Sequence, residues 1–572
     1  MKKFYLICLL ILFPVLLTAQ VSLRDTVITW HTFDYELNDD NTVSWNSDAE
    51  YDTVTKTFSG YVLENEYLRV TLLPEFGGRI LSMIYKPTGH EELYQNPAGT
   101  PYGVGEEWFY YKWLMVYGGI FPTLSEPEHG KAWLLPWDFE VLQETSDTIQ
   151  CRMSWKDTVN IDGINTGKWV YGKTNLRCEF TVTLVKGISS LGTEIVVYND
   201  SSSALNYEYW TCLTLAPGSE PGNPECTDGA ELIIPTEKVK IPSWYPDIAS
   251  QEEHISGESG IYTFTKLRYW KNWTNDGIAY AWDDEDKNYW GVINHDNEEG
   301  IIRVSDNSIT KGIKMWAWGY EQSQDIDPFK DPSETHRPYV ELWAGHSNEF
   351  FEPAEIDANS MKKWNEVYFP TVGLSGVTHS DSGFVADINI ADDHKVNIDF
   401  MTSFPGNEVN VSAEITGQYS QVLSDENVSV DPSAGGHVVI ELPDQTFSED
   451  DSLKCVISDT VNGNSLTAVI SLDGIISGVA DNTIQNDFQL YQNYPNPFNP
   501  ATSIKFSIAE RGITTLTVYS VTGERVAELV NKELSAGNYE VVFNASKLSS
   551  GVYFYQLRSN NFVQTKKLVL LK

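Results

Sequence analysis

The chain has 572 residues, with 39 Lys+Arg against 80 Asp+Glu and a formal net charge of −41 at pH 7. That length holds about three to four domains. So acidic a chain disfavours nucleic acid and anionic membrane surfaces, whose binding needs Lys and Arg to neutralise phosphate; a neutral ligand suits the charge better.

Lys2 and Lys3 precede an apolar run from Phe4 to Leu17, and Thr18-Ala19-Gln20 supplies a small-residue cleavage site. This is the pattern of a secretory signal peptide over residues 1–20, too short and wrongly flanked to span a membrane. No later stretch reaches spanning length, so no transmembrane segment is expected in the mature chain. Losing the leader leaves 37 basic residues against 80 acidic, a charge of −43. Five cysteines remain: Cys151, Cys178, Cys212, Cys226 and Cys455. An odd number leaves at least one unpaired, and Cys212 with Cys226 or Cys151 with Cys178 are the pairs open to an oxidising compartment. None has metal-ligand spacing, and no metal or other cofactor is expected.

From Val21 to about residue 375 the pattern is short β-runs divided by Gly, Asn, Asp and Pro turns. Tyr67–Leu73 reads as a strand, Pro74-Glu75-Phe76-Gly77-Gly78 breaks it, and Arg79–Tyr85 returns as its hairpin partner. Cys178–Leu184 and Thr193–Tyr198 alternate in the same way. No helical apolar period runs beyond a turn or two. The reading is all-β, with residues 21–375 forming one large β-sandwich. The 18 tryptophans all precede residue 370, which places any aromatic binding surface in this unit. Within it, Gly118–Trp137 (GGIFPTLSEPEHGKAWLLPW) puts His129 on a Pro- and Gly-rich loop between carboxylates and tryptophans, where an imidazole meets a ligand or else caps a strand end.

Residues 371–385 read as a Gly/Ser-containing hinge. Beyond it, Val396–Phe400, Val409–Ala413 and His437–Leu442 alternate cleanly, and residues 386–473 resemble a small immunoglobulin-like β-sandwich acting as a spacer. A Gly/Asp/Asn linker leads to residues 487–572. Their ordered motifs are Phe488–Pro500 (FQLYQNYPNPFNP), Val518–Gly523 (VYSVTG), Leu534–Tyr539 (LSAGNY), Leu548–Tyr553 (LSSGVY) and a basic apolar last strand, Lys566–Lys572. This small β-sandwich resembles the C-terminal sorting domain of type IX secretion cargo from Bacteroidetes-like bacteria. The resemblance implies the type IX secretion machinery as a partner, and a protein released or held at the outer-membrane surface.

The large unit carries its own series: Asn65-Glu66-Tyr67, Leu73–Ile80 (LPEFGGRI), Gly118-Gly119-Ile120, Glu128-His129-Gly130, Gly312–Gly319 (GIKMWAWG) and Tyr339–Gly345 (YVELWAG). From about residue 55 to 375 this order resembles the galactose mutarotase-like superfamily, nearest to an uncharacterised branch among secreted bacterial carbohydrate proteins. The resemblance implies a supersandwich with a carbohydrate ligand in its cleft. Two functional positions carry over. His129 matches the family's His-Gly step, and Glu341 matches its late-strand carboxylate in a Glu-x-x-x-Gly context. Opening a pyranose needs a base on the anomeric hydroxyl and an acid on the ring oxygen, which a carboxylate and an imidazole supply near neutral pH. Partial desolvation would make Glu341 a better base. Arg79 is placed to clamp a hydroxyl or carboxylate, or else pairs locally. Trp108, Trp113, Trp210, Trp316, Trp318 and Trp343 supply a sugar platform, with some of them core filler.

One departure stands out. Epimerases of this superfamily carry a second histidine on the strand corresponding to Asn206–Leu215, where this chain reads NYEYWTCL over 206–213 and offers Glu208 or Tyr209 instead. His254, His295, His336 and His346 are the remaining histidines of the unit's second half, expected as solvated loop residues, with His346 nearest Glu341. Epimerisation, glycan cleavage by hydrolysis or elimination, and non-catalytic glycan binding all remain open from sequence.

Overall fold

The structure is a computed structural model. It describes residues 21–571 apart from 34, 40–42, 46–52, 103–113, 126–129, 133–134, 160–172, 223, 276, 283–286, 318–339, 392–393, 405–407, 419, 444–446, 460, 474–487, 494–495, 497, 510–511, 535–536 and 561. The proposed signal peptide therefore lies outside the described residues. So do His129, Glu126, Glu128, Trp108, Trp113, Trp318 and His336.

The fold is all-β. Among the described residues, helix is confined to Pro246–Ala249 and a 3-10 turn at Trp270–Asn272, and no helix is long and apolar enough to cross a membrane. Two large sheets, of fifteen and eight strands, enclose the first apolar core. Alternation explains how. In the eight-stranded sheet, Thr148–Lys156 pairs Arg177–Val185, which pairs Leu191–Asn199, all antiparallel. Each strand buries every second side chain, most of them apolar, such as Ile149, Cys151, Met153, Phe180, Leu184 and Val197. The expected hairpin is present: Leu68–Leu73 pairs Arg79–Tyr85, with Gly77 and Gly78 turning at φ 72° and 56°.

Two further apolar cores follow, one between two four-stranded sheets from His379 to Ser471, the other between a three- and a four-stranded sheet from Gln489 to Leu570. The 371–385 stretch does not act as a free hinge. Leu374 and Val385 are buried in the first core, and the Val372 N–H meets Met401 Sδ at 2.9 Å, so the connection is packed. The cysteine pairs are not formed either. All five described thiols are free and buried, and the strand register sets Cys178 opposite Trp155 and Cys151 opposite Val182.

Candidate functional site

The site is built on five neighbouring strands of the large sheet: Arg79–Tyr85, Ile120–Ser125, Leu205–Ser219, Val340–Gly345 and Gly312–Ala317. Strand parity sorts their side chains. Tyr209 and Thr211 face the second sheet: the Tyr209 ring meets Trp364 edge-on at 4.7 Å, and Thr211 Oγ1 donates to Glu366 Oε1 at 3.2 Å. The intervening residues, Glu208, Trp210, Cys212 and Thr214, belong to the far face of the sheet. The register extends that face as rows. Phe121 lies opposite Cys212, Cys212 opposite Trp343, Trp343 opposite Lys314, and Lys314 opposite Tyr280. In the next row Thr214 lies opposite Glu341 and Glu341 opposite Trp316.

Glu341 is 5 % exposed, and its Oε2 accepts the Trp343 Nε1–H at 2.9 Å. The Lys314 ammonium stands 4.0 Å from the Trp343 ring centroid and 4.3 Å from that of Phe350. Arg79 is buried. Its Nε donates to Phe76 O and its NH1 to Gly118 O, each at 2.8 Å, and its guanidinium lies 4.3 Å from the Phe121 ring centroid. These groups share one field. Burial pushes the Cys212 thiol well above its ordinary range and Glu341 adds to this, while Lys314 and Arg79 oppose it.

The tryptophans divide. Trp316 is half-buried, whereas Trp210 and Trp343 are fully covered and expose no ring face to solvent. Both pack edge-to-face against Phe350, at 5.0 and 5.5 Å. Trp210 lies flat over two glycines: a Cβ on Gly345 would sit 2.2 Å from its Cε3, and one on Gly312 2.8 Å from its Cη2. In place of an open stacking platform, these two rings are covered in this structure, with Phe350 against both, Gly345 and Gly312 against Trp210 and Lys314 against Trp343. Arg79 is thus bonded to the backbone of its own turn and to that of Gly118 on the approach to the neighbouring strand.

Of the two substitutes for the absent histidine, parity excludes Tyr209, which lies between the sheets. Glu208 stays on the far face and accepts the Trp210 Nε1–H at 3.1 Å. His346 is not a solvated loop residue. It is buried between the sheets, its Nδ1 2.5 Å from Tyr207 OH and its ring 4.5 Å from Trp364, and burial lowers its pKa to about 3. His295 is also buried, 2.6 Å from Glu231, whereas His254 is exposed.

The loop that carries His129 is tied at both ends to one residue that sequence reasoning missed. The fully buried Asp157 accepts Ser125 Oγ at 2.8 Å and Lys131 Nζ at 3.3 Å, along with Thr174 N and Oγ1. The Lys131 N–H closes the base onto Leu124 O at 2.8 Å. An isolated Asp after Trp155-Lys156 gives no signal in the sequence. Among the described residues no group of three or more His, Cys, Asp or Glu is arranged to hold a metal ion.

A family described as a domain of unknown function, DUF5107, matches residues 43–369, more than half of the chain. The chain belongs to the DUF5107 family. This DUF5107 protein also carries, at residues 492–571, a match to the secretion system C-terminal sorting domain. It is therefore a secreted or outer-membrane surface protein, and the tail implies handling by the type IX secretion machinery. Among solved structures, it is similar to a TPR-domain containing protein from Parabacteroides distasonis (17 % identity, TM-score 0.46), covering 62 % of this chain and 56 % of that one, about half its length. It is also similar to galactose mutarotase-like proteins from Clostridium acetobutylicum and Lactobacillus casei. The first shows 11 % identity and TM-score 0.36, over 55 % of this chain and 96 % of that one. The second shows 10 % and 0.33, over 55 % and 100 %.

Proposed function

We propose that this is an exported carbohydrate-active protein, working on a neutral sugar or glycan over the far face of its large sheet, with Glu341 as general base and His129 as acid or polar anchor. The observation that carries the reading is the setting of Glu341: a nearly water-free carboxylate, oriented by an indole N–H, on a face shared with Trp316, Lys314 and Arg79. A base so held keeps its orientation as it takes a proton. The motif series around Gly118-Gly119, His129-Gly130 and Glu341 to Gly345 supports the sugar class. Phe350 lies edge-on against Trp210 and Trp343, where a sugar ring would meet an aromatic floor.

A second reading, a glycan-binding protein without turnover, is favoured by one observation: Glu208, bonded to Trp210, stands on the strand where the superfamily's second histidine belongs. The deciding experiment is a monosaccharide and glycan panel, scored for anomer exchange, hydrolysis, elimination and binding, with wild type and Glu341→Gln side by side. Turnover lost by about 100-fold or more with binding retained supports the base role. Binding by both without turnover by either supports the second reading, and unchanged turnover removes Glu341 from the chemistry.

A further inference from the structure

We propose that Lys314 is a positioning residue for Glu341 and acts on it through the Trp343 indole. The inference deepens the reading above, since it takes Glu341 as the working carboxylate.

The three residues form a unit across two strands. Lys314 lies directly opposite Trp343, and Glu341 precedes Trp343 by two on the same face, opposite Trp316. Lys314 is 3 % exposed and Trp343 0 %. An ammonium stripped of water is costly to hold. The faces of Trp343 and Phe350, 4.0 and 4.3 Å away, return part of what water provided. A cation on the face of an indole draws electron density from the ring and leaves its N–H more positive. That N–H is the group donating to Glu341 Oε2 at 2.9 Å, and a donor polarised in this way makes a stronger bond to an ionised acceptor. Lys314 thereby favours the ionised carboxylate and strengthens the bond that orients its Oε2. Trp343 lies opposite Cys212 on the neighbouring strand and packs edge-to-face with Phe350.

Other charged or titratable groups belong to the same face. Cys212 feels Glu341, Lys314 and Arg79; Glu208 is bonded to Trp210; Tyr280 lies opposite Lys314. At the outer edge Lys240 is paired with Glu349. Among the described residues, the charge that lies on the Trp343 ring face is that of Lys314.

The test is a double-mutant cycle on the full-length chain, read by thermal unfolding and so independent of turnover. Lys314→Met, Glu341→Gln and the double variant are compared, then repeated in a Trp343→Phe background. The expected result is a midpoint loss in the double variant that departs from the sum of the single losses by about 2 °C or more, with the departure shrinking to near zero when Trp343 is replaced. Additive losses overturn the proposal, and so does an equal departure in the Trp343→Phe background, which would mean that the indole carries nothing between the two. Where the wild type turns over a sugar, Lys314→Met should lower kcat about tenfold with KM little changed. It should also move the acid limb of the pH–rate profile up by about one pH unit, and Lys314→Arg should restore most of both. A wild type without turnover defeats the proposed activity alone; the cycle still decides the linkage.

Discussion

Replacing His346 by Phe should flatten the protein's loss of stability in mild acid. The ring sits between the sheets, its Nδ1 2.5 Å from Tyr207 OH, with Tyr209 and Trp364 packed around it. Burial, reinforced by the positive charges of Lys362 and Lys311, lowers its pKa from 6.5 to about 3. The folded value lies below the unfolded one, so as pH falls it is the unfolded chain that takes up the proton. The contribution to stability is complete above about pH 6.5 and is lost progressively down to about pH 3. At about 1.4 kcal/mol per pH unit the whole gap is worth about 5 kcal/mol, of which about 2 kcal/mol is gone at pH 5. For a domain of this size that is a fall of about 4 °C in the melting midpoint. Calorimetric melts at pH 7.5 and pH 5.0 check it. Wild type should lose about 4 °C more than His346→Phe between the two pH values, even though the variant, with Tyr207 deprived of its partner, starts lower. Glu366 adds an acid-labile contribution to both proteins and cancels. Burial raises its pKa, but Arg303 and the hydrogen bonds from Arg303, Tyr368 and Trp364 outweigh that and leave it lowered. Parallel losses in wild type and variant would refute the reasoning, because they would mean that His346 titrates normally in the folded state.

Asp157→Asn should cost about 3–5 kcal/mol, since it removes the carboxylate charge 3.3 Å from the fully buried Lys131 ammonium; denaturant unfolding reads the loss, and adding Lys131→Met should recover part of it. Gly345→Ala should destabilise by about 1–3 kcal/mol, because the new methyl meets Trp210 at 2.2 Å; a melting midpoint equal to wild type would show that the indole does not lie flat there. The thiols should be silent. Burial pushes Cys151 and Cys226 up to about 12 and Cys455 up to about 11. Ellman's reagent should therefore find no reactive cysteine in the native protein and all five after unfolding without reductant, and fewer than five would reveal a disulfide.

Much of this protein is written in local pattern. Alternation with period two and turn residues at Pro74–Gly78 predict the hairpin of Leu68–Leu73 with Arg79–Tyr85, and the same signal marks the strands from Thr148 to Asn199. The sorting tail is legible because its motifs are contiguous. The site is legible only in part. Glu341 stands out by its strand context, but strand parity reads only relative to a sheet whose inner face is known. Hence Tyr209 and Glu208, adjacent in sequence, were indistinguishable until Trp364 and Glu366 showed which face is interior.

By itself the sequence determined the all-β class, the export tail and the residue types available for chemistry, because each depends on neighbours within a few positions. Tertiary structure alone decided which of them meet. Trp210 and Trp343 became covered rings, packed edge-to-face against Phe350. His346 became a core residue, and Lys314, unremarked in its strand, came to rest on the indole that holds Glu341. The physical reason is one of range. Strand propensity acts along the chain, whereas burial, a cation on a ring face and a shared electrostatic field depend on contacts between strands far apart in sequence.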